Sequence, residues 1–154
     1  WRGEFDLNQD YVYGIFNRDE SAVLGSTGLH TRRGEAAREI GYWIHVNHTN
    51  QGYATETAMM LTRIAFEVEA VAWVEIRCLV ENVRSASVPR KLGYTHEATL
   101  RQRGMRGDGT RGDTMVWTLF PTDYAHSPAS SHRIWAYNAA GQQLLPQPQG
   151  TGTE

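Results

Sequence analysis

Glu39-Ile40-Gly41-Tyr42-Trp43, then Thr49-Asn50-Gln51-Gly52-Tyr53-Ala54-Thr55-Glu56, then Glu81-Asn82-Val83-Arg84-Ser85, then Lys91-Leu92-Gly93-Tyr94 follow one another along the chain, and their order decides the fold. They read as a strand, a glycine turn opening an amphipathic helix, a second strand ending in a polar cap, and a short helix stopped by glycine. A glycine turn at a helix N-terminus gathers unpaired amides and the positive end of the helix dipole at one spot, which suits an anion. A second polar site after the next strand suits the rest of a long phosphorylated ligand.

Outward from that core, residues 11–16 are rich in β-formers, Asn17-Arg18-Asp19-Glu20 is a polar turn, and residues 22–29 read as the return strand. A turn at Thr31-Arg32-Arg33-Gly34-Glu35 leads to a third strand over 38–46, so the three are expected as an antiparallel meander. In the helix after Gly52, Ala54, Ala58, Leu61, Ala65 and Val68 recur at steps of four or three, with Ile64 beside them. Residues 73–79 are the next strand. The short helix is expected over 84–92, ended by Gly93, with Pro89 either in its first turn or breaking it. Residues 95–101 and 114–120 are expected to close the sheet as a hairpin across a mobile, glycine-rich connection, 104–113. The domain is drawn as 1–124. Residues 125–154 form a Ser-, Pro-, Gln- and Gly-rich extension, ordered in part over 133–145 by a docking strand at Ile134-Trp135-Ala136-Tyr137 and a turn at Asn138-Ala139-Ala140-Gly141.

Composition bounds the function. A chain of 154 residues with 40% hydrophobic and 21% charged residues can bury a real core as one domain. A net charge of -2 gives no basic field for nucleic acid or a membrane surface. The lone Cys78 cannot form an intrachain disulfide, which favours a reducing, cytoplasmic setting. There is no long apolar run to span a membrane. The chain opens on Trp1 rather than Met and is expected to start inside a longer protein.

The turn at Gly52 lacks both the Gly-Lys-Ser/Thr ending of a nucleotide P-loop and the three-glycine dinucleotide fingerprint. Read alone, it is either a diphosphate cradle made by the amides from Gln51 to Thr55 or an ordinary helix start whose glycine only makes the bend. Taken together, the motifs resemble those of the GNAT superfamily of N-acetyltransferases, in the Rim-type branch similar to ribosomal-protein N-terminal acetyltransferases. The family's Gln/Arg-x-x-Gly-x-Gly/Ala loop corresponds to Thr49-x-x-Gly52-x-Ala54, its Asn-x-x-Ser to Asn82-x-x-Ser85, and its Lys-Leu-Gly-aromatic to Lys91 through Tyr94. Glu39 through Trp43 match the branch's fourth strand. The resemblance covers about residues 11–120.

The resemblance implies an α/β (α+β) fold: a mixed, mostly antiparallel sheet splayed at its centre, with flanking helices. The pantetheine arm of acetyl-CoA would enter between two strands. The N-terminal strand and helices of that fold have no counterpart in the few residues before Tyr11. It also implies an amine acceptor, either a protein N-terminus or a small molecule, with homodimers frequent. Two departures stand out. Thr49 replaces Gln or Arg, which removes one contact to the diphosphate. Pro89 stands where many relatives carry a tyrosine that protonates the departing thiolate, a duty Rim-type relatives give to the serine matched here by Ser85.

Acetyl transfer needs a neutral amine, although a primary amine is mostly protonated at neutral pH. Glu39 is the candidate base, or else a strand residue paired with Arg38 or Arg77. Ser85 is the candidate donor to the thiolate, or a first-turn cap. Asn82 is expected to bind pantetheine amides or orient a water, a role compatible with capping the helix. Amides near Trp43, Ile44, His45 and Val46 are candidates for polarising the thioester carbonyl. Asn50, Gln51, Gly52, Tyr53, Ala54 and Thr55 are expected around the diphosphate. Arg84, Arg90 and Lys91 lie within reach of the 3′-phosphate. His45 and His48 lack further ligands nearby, so no metal site is expected. Cys78 reads as a small buried residue rather than a nucleophile. Trp43, Trp73 and Trp117 read as core or sheet-face residues. The two Arg-Gly-Asp tripeptides at 106–108 and 111–113 read as turn chemistry. Other readings of the same residues are an antibiotic-type small-amine acetyltransferase, a catalytically silent acyl-CoA-binding module and a pure interaction domain.

Overall fold

The computed structural model describes residues 10–146. Strands β1 (Asp10–Phe16), β2 (Val23–His30) and β3 (Ala37–Ile44) form the expected meander. A 3-10 turn at Val46–His48 leads through Gly52 into helix α1 (Tyr53–Glu67). Then come β4 (Trp73–Leu79), α2 (Val83–Lys91), β5 (Thr95–Met105) and β6 (Arg111–Leu119). The six strands make one sheet in the order β1-β2-β3-β4-β6-β5. The β3–β4 pair is parallel, and α1 is the crossover such a pair requires.

That parallel pair is short. It runs from Ala37 opposite Trp73 to Ile40 opposite Ile76. Beyond it, β3 continues from Gly41 to Ile44 paired with β2, while β4 continues from Arg77 to Leu79 paired with β6. The two strands diverge in the middle of the sheet, as expected for a splayed fold.

Alternation fixes the two faces. Ile40 joins the core with Ala58, Leu61 and Ala65 of α1, so Ile40, Tyr42 and Ile44 belong to the helix-covered face. Glu39, Gly41 and Trp43 belong to the other. Of the periodic α1 positions, Ala58, Leu61 and Ala65 are buried, and Leu61→Ala should cost about 2–5 kcal/mol. Val68, by contrast, caps the helix and is exposed. Buried Thr62 was not marked by the apolar period. Its hydroxyl lies 2.7 Å from both the Ala58 carbonyl and the Tyr94 hydroxyl, so the polar group is satisfied inside the core.

Two expectations need correcting. Pro89 neither sits in the first turn of α2 nor breaks it. It is buried inside a helix that continues to Lys91 and stops at Gly93, whose φ is +79°. The connection between β5 and β6 is also shorter than 104–113, because the strands run on to Met105 and resume at Arg111. The turn is tied by Arg106 to the Arg111 carbonyl and the Glu81 carboxylate, and by the Thr110 amide donating to Asp108 at 2.9 Å.

After β6, two short helices, α3 (Pro121–Tyr124) and α4 (Pro128–Ser131), precede a small hairpin of β7 (Ala136–Tyr137) and β8 (Gln143–Leu145). Ala129, Ile134 and Leu145 are buried. Tyr124 stacks on Phe66 and donates to Glu67, while Arg63 bonds the His132 carbonyl, so this segment rests against the rear of α1. The expected docking strand at 134–137 is realised over Ala136–Tyr137. The end of that extension, residues 147–154, lies outside the described residues.

Candidate functional site

The divergence of β3 from β4 opens a cleft of ≈ 460 Å³ on the helix-covered face, between the start of α1 and the start of α2. Its walls include Tyr42, Trp43 and Ile44 of β3, Thr49, Asn50 and Gly52 through Thr55 of the turn, and Asn82, Ser85 and Lys91 at α2. That volume lies within the range of small-ligand sites.

At one wall, the chain reaches α1 through Asn50 (φ +61°) and Gly52 (φ +92°, ψ −15°), both left-handed. Gly52 meets no side-chain cap, and the first bond into the helix is from the Glu56 amide to the Gly52 carbonyl. No protein acceptor among the described residues takes the amides of Tyr53, Ala54 or Thr55. These donors and the helix dipole face the cleft, which fits a diphosphate. Thr49, where a longer polar side chain was expected, instead donates to the Val46 carbonyl at 3.0 Å and steadies the turn.

At the second wall, Asn82 caps α2 by accepting from the Ser85 amide at 3.1 Å. The Ser85 hydroxyl lies 3.2 Å from the Tyr42 hydroxyl, and Tyr42 in turn donates to the Ser85 carbonyl at 3.0 Å. Burial pushes the Tyr42 phenol up to about 12, more than the hydrogen bond from Ser85 lowers it, so it stays a donor at neutral pH.

The third wall is the free edge of β3. The His45 amide bonds the Leu24 carbonyl at 2.8 Å, toward β2. Alternation then turns the backbone groups of Ile44 and Tyr42 toward the opened side, where they can meet a carbonyl or an amide of an inserted ligand.

The cleft therefore gathers Trp43, Ile44, Asn50, Gly52, Tyr53, Ala54, Thr55, Asn82, Arg84, Ser85 and Lys91 from the expected residues. It does not gather His45, Val46, Gln51 or Arg90. Gln51 donates to the Asn47 carbonyl, and Arg90 lies 5.5 Å above the Trp117 ring. Sequence reasoning did not single out Tyr42, Ser87 or Val88 as lining residues. For Tyr42, strand alternation with buried Ile40 was the available signal.

Glu39 sits on the opposite face, 8% exposed. Its carboxylate lies 2.6 Å from Arg33, 3.3 Å from Arg32 and 3.7 Å from Arg77, while Arg38 pairs with Glu69 instead. Arg33 and Arg77 also hold Glu75. Trp43, on the same face, is 57% exposed, whereas Trp117 is core. Cys78 is buried and its thiol is pushed up by that burial, in keeping with a packing role. Among the described residues no group of His, Cys, Asp and Glu is arranged to hold a metal, and no helix is long and apolar enough to cross a membrane.

Comparison with known proteins agrees with this geometry. The "Putative ribosomal N-acetyltransferase YdaF" of Bacillus subtilis is 30% identical over 80% of this chain and 67% of its own length. The "Uncharacterized N-acetyltransferase YoaA" of the same organism is 30% identical over 70% of this chain and 60% of its own. The chain thus spans about three fifths of the length of that relative. A crystal structure of a "Probable acetyltransferase" superposes with a TM-score of 0.73 at 25% identity, covering 79% of this chain and 68% of that one. The fold also matches a ribosomal-protein-S5-alanine acetyltransferase from Vibrio fischeri, with a TM-score of 0.71 at 16% identity over 80% of this chain and 68% of the other. Residues 1–95 match the model of the acetyltransferase (GNAT) domain, and the chain belongs to that family.

Proposed function

We propose that this protein transfers an acetyl group from acetyl-CoA to a primary amine by direct attack in a ternary complex. The observation that carries the reading is the coincidence of two features at one cleft: the β3–β4 pairing ends at Ile40 and Ile76, and the unpaired amides of α1 open onto the same gap. The diphosphate is gripped by the amides of Tyr53 to Thr55, and Lys91 and Arg84 neutralise the 3′-phosphate. The pantetheine arm follows Asn82 and the free edge of β3 into the wedge.

The reaction then needs three things from this chain. The Ile44 amide stabilises charge on the thioester oxygen as the amine nitrogen bonds to the carbonyl carbon. The C–S bond breaks with its electron pair on sulfur, and the Ser85 hydroxyl donates a hydrogen bond to that thiolate. The ammonium proton leaves through water across the opening to the other face, where Glu39 is the candidate acceptor although its carboxylate is already paired with Arg33, Arg32 and Arg77. Much of the acceleration comes from holding amine and thioester together. The likeness to YdaF favours a protein N-terminus as acceptor over an antibiotic-type small amine. Pro89, in place of an acidic tyrosine, favours a second reading as a silent acyl-CoA-binding module.

The test is thiol release from acetyl-CoA across a panel of N-terminal peptides and small amines, alongside calorimetric CoA binding. Turnover with a peptide supports the proposal. Binding without turnover on any amine supports the silent module. Absence of binding removes both.

A further inference from the structure

We propose that Tyr42 is a positioning residue for Ser85: its hydroxyl replaces the helix hydrogen bond that Pro89 cannot make, and so holds the first turn of α2 against the opened strand. In an uninterrupted helix the carbonyl of Ser85 accepts from the amide four residues on. That residue is Pro89, which has no N–H and whose ring crowds the same carbonyl. A proline at this place ordinarily kinks or ends a helix, yet α2 continues to Lys91. The Ser85 carbonyl is met instead by Tyr42, 43 residues earlier in sequence, at 3.0 Å.

The donor comes from β3 beyond the point where that strand has parted from β4. Tyr42 is therefore a strut across the wedge, tying its free strand to the helix that carries Ser85. The same oxygen accepts from the Ser85 hydroxyl at 3.2 Å. The hydroxyl hydrogen thus has a resting partner beside the cleft, from which it can turn to a thiolate. Burial keeps the Tyr42 proton in place at neutral pH, so the donation to the carbonyl persists. Asn82 fixes the Ser85 amide from the other side, so both backbone groups of this residue are held by side chains.

This inference rests on the acetyl-transfer reading for its catalytic consequence, but its structural half is testable without turnover. The experiment is a double-mutant cycle of Tyr42→Phe and Pro89→Ala, read by thermal melting and by steady-state kinetics. Alanine at 89 restores the missing amide. Tyr42→Phe should lower the melting temperature clearly in the native background and much less beside Pro89→Ala. In the native background it should lower kcat about tenfold with the acetyl-CoA KM within about twofold, the size expected for one lost hydrogen bond to a positioned group. Pro89→Ala should recover most of that kcat. Equal losses in the two backgrounds, in melting and in kcat, overturn the proposal. If Tyr42→Phe alone does not fold, a folded double variant supports the coupling and an unfolded one overturns it. If no amine is ever acetylated, the melting cycle still decides the strut, so the two failures remain distinct.

Discussion

Helices α1 and α2 begin on facing walls of one cleft, and they begin differently. Helix α1 starts at a left-handed glycine with no capping side chain, leaving its first amides without acceptors among the described residues. Helix α2 starts at Asn82, whose side chain takes the Ser85 amide. An uncapped helix start costs stability, and capping residues of the Asn82 kind commonly contribute about 1 kcal/mol. The contrast teaches that the two ends are built for different duties. On the proposed function the bare end is the one that would receive an anion, whereas the capped end presents side chains in fixed positions.

The contrast would break first at Gly52. Nothing obstructs a side chain there, but φ is +92°, so Gly52→Val forces a β-branched residue into a left-handed turn and fills the space before the amides. CoA affinity measured by calorimetry should fall by about a hundredfold or more, equivalent to roughly 2.7 kcal/mol. An unchanged affinity would show that the bare end is not the anion site.

Alkaline pH sharpens the α2 side. The Tyr42 phenol titrates near its ordinary 10.0 in the unfolded chain and at about 12 when folded. A raised folded value means its stabilisation is complete below about pH 10 and lost as the pH climbs toward 12. Urea melts of the native protein and Tyr42→Phe should therefore converge over that interval, by at most about 2 kcal/mol. Parallel curves would mean that Tyr42 does not sense the fold through its hydroxyl.

Asn82→Ala turns the capped end into a bare one. It should cost about 1 kcal/mol in melting experiments, with CoA affinity lowered less than by Gly52→Val. Lys91→Ala gives the smallest effect. CoA binding should weaken about threefold while dephospho-CoA binding is unchanged, as for one exposed charge contact. Equal weakening of both would place Lys91 away from the 3′-phosphate.

What the sequence made legible was local. The order of strand, glycine turn and helix, the Asn82 cap and the stop at Gly93 are written within a few residues each, and all appear in the structure. What it concealed depends on partners far along the chain. Pro89 stays inside α2 because Tyr42 supplies a donor from another strand. Thr62 is tolerated in the core because Tyr94 meets it there. Arg90 stands beside Lys91 in sequence, yet its guanidinium lies over the Trp117 ring, a partner no local pattern announces. Glu39 was recognisable as a charged strand residue, yet its companions Arg32 and Arg33 come from the preceding turn, whose path no periodicity describes.

The Tyr124 and His132 attachments at the rear of α1 have a mechanical consequence. A helix of 15 residues is a stiff rod about 22 Å long, so its two tips move together. Clipping the polypeptide after Phe120 would unmoor the far tip, and the gripping tip would then wander. Such trimming should raise the dissociation rate of bound CoA even though no residue near the ligand has been altered.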